Sequence, residues 1–349
     1  MDASPPPHRP PIRRRRMSLI VAGLAVALVS AACGGGSSED SANSGTKEFE
    51  GKTTAFPVTI TQKVAPVTIE KAPERVVALD FPSADAAIAL GVVPVGMLRL
   101  SYVDGGVQQW TKDALKGQQP ELFDTEQGFP FETIARLKPD VILATNTWPL
   151  IAESWDKLNA IAPVVGHVEA PGIDTWQQGV TQIGKALGRS EQAQQLIAHV
   201  EGAIADARSA NPKFSGKTVS FFNYVDGVHV ISRDSDVSIK FLKELGFAGV
   251  TPAVAAMPHA QIEGRAAVSP ENYKLLDADL ILGTTSGGRA PLDALAKHPT
   301  FSKVPAVARG AYIALEIGPA TAMAFPSALS LPYAVNTLVP QMARAMAGS

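Results

Sequence analysis

The chain has 349 residues, 46% of them hydrophobic and 18% charged, enough for a substantial core and about two domains. Lys+Arg number 31 against 33 Asp+Glu, a net charge of -2 that argues against a polybasic nucleic-acid binder, so no nucleic-acid partner is expected. One cysteine excludes a disulfide framework or a Cys-rich zinc module, and 27 Pro with 29 Gly point to a turn-rich α/β protein.

The N-terminus carries Arg9 and Arg13 to Arg16, then an apolar run from Leu19 to Val29, then the small residues Ser30, Ala31 and Ala32. The run is shorter than the roughly 20 helical residues that cross a bilayer, so residues 1–32 read as a signal peptide. Cys33 follows directly and Gly34-Gly35-Gly36-Ser37-Ser38 trails it, which resembles the bacterial lipobox with Ser30 standing where that pattern has Leu. The resemblance implies lipidation at Cys33, an anchor that holds a protein on a membrane without spanning it. Cleavage would leave 26 basic and 32 acidic residues, a charge of -6. Residues 33–55 have almost no apolar content up to Thr54 and read as a flexible tether. About 20 such residues reach roughly 25 Å.

The pattern becomes regular at residue 56. Val58-Thr59-Ile60 reads as a leading strand and Val76 to Leu79 as a buried one. Asp80-Phe81-Pro82-Ser83 is a turn and helix cap, Ala84 to Leu90 continues as helix, and Gly91 stops it. Val93-Pro94-Val95-Gly96 opens the next strand, and this alternation predicts parallel α/β layers. A repeat then appears. Glu132 to Thr145 reads ETIARLKPDVILAT and Glu271 to Thr284 reads ENYKLLDADLILGT, six positions agreeing at an offset of 139 residues. Each copy reads as a helix feeding a strand, and together they indicate two related lobes.

Between the copies, Trp176, Val180, Ile183 and Leu187 share one helix face that Gly188 ends. Ser190 reads as the cap of a second helix running to Ala210, in which Ala193, Leu196, Ile197, Val200, Ile204 and Ala207 keep a 3.6-residue period. Unbroken, it is about 30 Å long and can join two lobes. The expected organisation is therefore 56–172 as the first α/β lobe, 173–212 as a helical linker and 213–349 as the second lobe, with a cleft between.

Catalytic patterns are missing from the sequence. The six histidines (8, 167, 199, 229, 259 and 298) show no metal-ligand spacing, so no protein metal site is expected. The loop from Gly283 to Ala290 follows a strand, but Arg289 and Ala290 stand where a phosphate-binding loop needs Lys and Ser/Thr. Ser286 lacks the Gly-x-Ser-x-Gly elbow. A serine hydrolase would need Ser286, a base such as His259 and an acid to converge; binding without chemistry is the better expectation.

Four features together resemble the solute-binding lipoproteins of iron-siderophore and cobalamin ABC importers. They are the lipobox, Pro73-Glu74-Arg75-Val76-Val77-Ala78-Leu79, Leu90-Gly91-x-x-Pro94-Val95-Gly96, and Glu132-x4-Leu137-Lys138-Pro139-Asp140. The resemblance covers residues 73–340 and implies two Rossmann-like α/β lobes joined by a long helix, with ligand held between them. It implies also that one glutamate on each lobe docks onto permease arginines, and Glu132 and Glu271 are the matching positions. The helix dipole alone favours a Glu in a first turn, yet it does not explain the repetition.

The implied cargo is a ferric-siderophore-type complex, with haem, cobalamin or ferric citrate as alternatives and His259 or Tyr224 as axial candidates for haem. Iron would arrive inside the chelator, with no intrinsic cofactor. Such a ligand calls for Arg forks, hydroxyls and aromatic faces at strand ends. The candidates are Phe81, Arg99, Tyr102, Trp148, Tyr224, Arg233 and Arg289. The expected protein is a monomeric, lipid-anchored, extracytoplasmic receptor partnered with an ABC permease.

Overall fold

The computed structural model describes residues 49–146, 150–170, 173–258, 264–285 and 288–347. A hairpin of β1 (Val58–Ile60) and β2 (Val67–Ile69) precedes the first lobe. That lobe is a parallel sheet of β3 (Val76–Ala78), β4 (Gly96–Leu98), β5 (Glu121–Phe123), β6 (Val141–Leu143) and β7 (Val164–Val165), ordered β5-β4-β3-β6-β7. Its helices are α1 (Phe81–Ala89), α2 (Gln109–Ala114), α3 (Phe131–Arg136) and α4 (Leu150–Asn159). All residues of β3 and β6 are buried, as in a parallel sheet covered on both faces. Asp80 caps α1 as expected, its Oδ1 accepting the Ser83 N–H at 2.7 Å.

The linker begins with α5 (Trp176–Ala186), opened by a capping box between Thr175 and Gln178, and continues as α6 (Ser190–Ala210). Ala193, Leu196, Val200, Ile204 and Ala207 are buried along one side of α6, the stripe that the period predicts. The cap of α6 differs from expectation. The capping position is Arg189, without a side-chain cap bond, because Gly188 turns at φ +69° and carries Ser190 into the first helical turn. The Ser190 hydroxyl instead meets Thr54, while Arg189 Nη1 donates to Leu90 O at 2.6 Å. Gly184 lets α5 and α6 touch closely, since a methyl there would collide with Ala193. Gly184→Val is therefore expected to lower stability by about 2 kcal/mol, read from the urea midpoint; an unchanged midpoint would refute this tight contact.

The second lobe carries β8 (Thr218–Tyr224), β9 (Val228–Ile231), β10 (Gly249–Val250), β11 (Arg265–Val268), β12 (Leu280–Thr284) and β13 (Tyr312–Ala314). They order as β11-β9-β8-β12-β13, with β10 beside the start of β8. Around them lie α7 (Val237–Glu244), α8 (Pro252–Ala255), α9 (Ala290–Ala296), α10 (Pro305–Ala308), α11 (Ile317–Ala324), α12 (Ser330–Thr337) and α13 (Val339–Ala345). This sheet is mixed, not wholly parallel, because β9 folds back on β8 through a turn in which Asp226 and Gly227 have positive φ.

The repeat holds in three dimensions. β6 pairs with β3 through Val141↔Val76, and β12 pairs with β8 through Leu280↔Val219. The shared aspartates do the same work: Asp140 accepts the Glu74 and Arg75 N–H groups just before β3, and Asp279 accepts the Thr218 N–H at the start of β8. Burial pushes the Asp279 carboxyl up, but hydrogen bonds from Thr218 and Lys217 outweigh it and hold it below the usual range. The helices of the two copies differ. Residues Pro270–Leu276 form a 3-10 helix, with bonds such as Asn272 N–H to Ser269 O, a pattern that rises about 2 Å per residue and suits a short run.

Residues 49–54, compositionally part of the tether, are held along α6. Gln195 and Gln192 donate to Glu50 O and Gly51 O, Lys52 N–H to Glu191, and Phe49 meets the exposed His199 edge-on at 5.9 Å. The ordered body thus begins before residue 56. Its packing partner is the long helix, which the local composition does not reveal.

Candidate functional site: the cleft between the lobes

Chain direction places the rims. The parallel strands lead into Asp80, Arg99 and Thr145, one or two residues past the ends of β3, β4 and β6, in the first lobe; in the second, β8 ends at Tyr224, and β12 and β13 lead into Thr285 and Glu316. Arg189 sits at the other end of the first sheet, beside the end of α1, and α6 runs from there to the start of β8. The long helix α6 thus lies at the strand beginnings and leaves the strand ends free to form a site.

A narrow cleft, open to solvent and enclosing about 30 Å³, lies between the lobes. Pro82, Ala86, Thr145 and Asn146 line it from the first lobe, and Val237, Pro326 and Ser327 from the second. Asp174, Thr175, Trp176, Gly179 and Val180 close it at the start of α5. Its first-lobe wall is fixed by buried hydrogen bonds. Ser83 Oγ and Thr145 Oγ1 are 2.9 Å apart, and Asp80 Oδ2 accepts the Asn146 N–H at 3.0 Å. The Trp176 Nε1–H is buried without a protein partner, a donor at the wall.

The candidate residues divide. Phe81 is buried at the seam, packed edge-on against Phe325 of the second lobe at 5.3 Å. Tyr102, 43% exposed, reaches across to a hydrogen bond with Thr321 of α11; burial pushes its hydroxyl up and that bond offsets part of the effect. Arg99 is exposed at the end of β4, its stem over Gly106. Arg289 is exposed at the start of α9 and pairs with Asp293 at 3.3 Å. Tyr224 ends β8, half-buried. Arg233 is not brought to that rim: β9 runs back along β8, and the Arg233 side chain lies against Gly264. Trp148, His259, Ser286 and Cys33 lie outside the described residues.

Glu132 and Glu271 are both exposed, each in the first turn of the helix that follows a strand end, so they stand on equivalent rims. The Glu271 carboxylate accepts its own backbone N–H and the Ser269 hydroxyl, which hold it below the usual range. Among the described residues no three His, Cys, Asp or Glu side chains gather as a metal site, and no helix is long and apolar enough to cross a membrane.

Sequence reasoning missed Trp176 as a wall residue, reading it only as a core position. It missed also the 325–327 segment and Asp85. An aspartate alone in the apolar run Ala84-Asp85-Ala86-Ala87-Ile88-Ala89-Leu90 was the available signal for the last.

Residues 76–316 match the model of a family described as periplasmic binding protein. The chain belongs to this family. The binding protein is 30% identical to a periplasmic solute binding protein from Mycobacterium smegmatis, with a TM-score of 0.72 over 83% of this chain and 99% of that one. It is 27% identical to PiaA of Streptococcus pneumoniae TIGR4, solved in complex with ferrichrome, with a TM-score of 0.71 over 83% and 99% of the two chains. A probable siderophore-binding lipoprotein, YfiY of Bacillus subtilis, is 29% identical over 175 residues, 50% of this chain and 52% of that protein. The chain thus matches about half the length of YfiY. The resemblance read from residues 73–340 holds at the level of the family, and the two-lobed α/β architecture with it.

Proposed function

We propose that this binding protein is the lipid-anchored, extracytoplasmic receptor of an ABC importer, capturing a ferric-siderophore-type complex and passing it to the permease. The observation that carries the reading is the cavity walled by both lobes and the linker, in a chain that aligns along 83% of its length with a protein solved around ferrichrome. Exposed Arg99 and Arg289 and the hydroxyl of Tyr102 suit the anionic and polar periphery of an iron chelate. The chelator brings the iron ligands, so the protein has only to recognise an intact complex. Glu132 and Glu271 supply two acidic contacts on matched rims, a geometry fitted to a two-fold partner.

The anchor is assigned to Cys33, directly after Ala31-Ala32. Cys33→Ser is expected to abolish incorporation of an alkyne-labelled fatty acid, to move the protein from the membrane to the soluble fraction, and to reduce uptake of radiolabelled ferric chelate while leaving its affinity unchanged. Labelling that persists in the variant would refute the anchor. Uptake that never required the protein would refute the receptor.

A further inference from the structure

Asp85 lies in α1, wholly buried, directly behind the part of the cavity wall made by Pro82 and Ala86. Three donors from two segments converge on its carboxylate. Thr111 Oγ1 of α2 donates to Oδ1 at 2.7 Å, Trp110 Nε1 of α2 donates to Oδ2 at 2.8 Å, and Ser327 Oγ donates to Oδ2 at 2.5 Å. The first two partners belong to the same lobe. The third comes from the other lobe, 242 residues away, and itself lines the cavity. Ser327 is locked in turn: its Oγ accepts the Ser330 N–H at 2.9 Å while Ser330 Oγ accepts the Ser327 N–H at 2.8 Å. On either side of this tie, Phe81 packs on Phe325, and Trp110 packs on Tyr333 of α12 at 5.0 Å.

We propose that Asp85 is a positioning residue for the binding cavity: its carboxylate, through Ser327, fixes the distance between the wall that α1 supplies and the wall that the 325–327 segment supplies. The inference rests on the reading that this cavity holds the chelate. An acceptor-only group is what the site requires, since three donors meet there and an amide would present a donor to donors. A desolvated carboxylate is costly, and it is satisfied only while both segments are in place, so it selects one spacing of the lobes. Burial pushes Asp85 up to about 6, against the bonds from Ser327, Thr111 and Trp110 and with help from the nearby Asp80 charge. The groups it meets from α2 and from the 325–327 segment are neutral.

The sign of the pH effect separates positioning from folding. A carboxyl raised in the folded state binds its proton more tightly than in the unfolded chain, so its contribution to stability grows as pH falls from 6 toward 4. The cross-lobe bond, by contrast, loses its charge assistance over the same window. Acidification should therefore weaken binding without unfolding at this group.

The test uses the full chain in a Cys33→Ser background, spin-labelled at exposed positions 153 and 303, one per lobe. Ser327→Ala and Asp85→Asn are each expected to broaden the ligand-free interlobe distance distribution, and the double variant no more than either single. With ferrichrome as probe, each single variant should lose about tenfold in affinity and the double no more than that. Wild-type affinity should fall between pH 7 and pH 5, and that of Asp85→Asn should stay level. If Asp85→Asn does not fold, Ser327→Ala decides alone. An unchanged distance distribution, or losses that multiply in the double variant, would overturn the proposal. Should ferrichrome fail to bind the wild type, the cargo reading falls while the distance measurement still decides the tie.

Discussion

Reversing both rim glutamates, Glu132→Arg with Glu271→Arg, is expected to reduce uptake of the iron chelate to background while ligand affinity stays within about twofold of wild type. Both side chains are exposed, and exposed substitutions away from packed features shift stability by about 0.5 kcal/mol or less. The fold should therefore survive the change. A like-charge contact at an interface costs several kcal/mol, and each 1.4 kcal/mol is tenfold, so two such contacts lower docking by about a hundredfold or more. The Glu271 carboxylate is held ionised by its own N–H and by Ser269, so the effect should persist under mildly acidic conditions. Single reversals should give intermediate uptake. Uptake of radiolabelled ferric chelate by cells lacking the wild-type protein reads the first quantity, and fluorescence titration the second. A loss of affinity equal to the loss of uptake would contradict a docking role and move both residues into the ligand site.

Reversing the rim arginines, Arg99→Glu and Arg289→Glu, is expected to separate cargo by charge. Each change should cost about tenfold in affinity for a trianionic ferric catecholate and less than about threefold for neutral ferrichrome. Arg289 already pairs with Asp293, but both partners are about half exposed and such a pair is worth little, so its guanidinium remains able to serve a ligand. Arg289→Glu adds repulsion from Asp293 and should be the more damaging of the two. Raising the salt concentration should narrow the difference between the two cargoes, because exposed charges are screened over about 10 Å at 0.1 M. Calorimetric titration of both ligands at two ionic strengths measures this. Equal losses for charged and neutral chelates would show that the arginines shape the cleft and do not read charge.

Local signals made much of the fold legible. The apolar run at Val76, the cap at Asp80, the stop at Gly91 and the 3.6-residue stripe of α6 each depend on residues within a few positions of one another, and each appears where the sequence places it. The 139-residue repeat was legible because its copies share an aspartate whose work is the same in both lobes. Pairings set by the tertiary fold were not legible. Ser190 looks like a cap until Gly188 turns the chain one residue too early for it. Arg233 looks like a strand-end residue until β9 is seen to run backwards along β8. Residues 49–54 look unstructured because the groups that hold them, Glu191, Gln192 and Gln195, lie about 140 positions away. Within the cleft, residue type and strand position brought Phe81 and Tyr102 to the seam. The partners they meet, Phe325 and Thr321, come from a segment with no sequence motif.

Tryptophan fluorescence tests the reading at its root, with Trp176 at the cavity wall and Trp110 behind it as native reporters. The full chain would be titrated with ferric siderophores of the catecholate, hydroxamate and carboxylate classes, with the same chelators free of iron, and with haem and a corrinoid. Saturable, one-to-one quenching by at least one ferric siderophore, much weaker for its iron-free form, with the chelate recovered chemically intact, is the predicted result. Quenching by haem or corrinoid alone would leave a receptor for another cargo. No saturable response to any of them, or conversion of the chelate during the titration, would contradict a cleft that carries an intact metal complex.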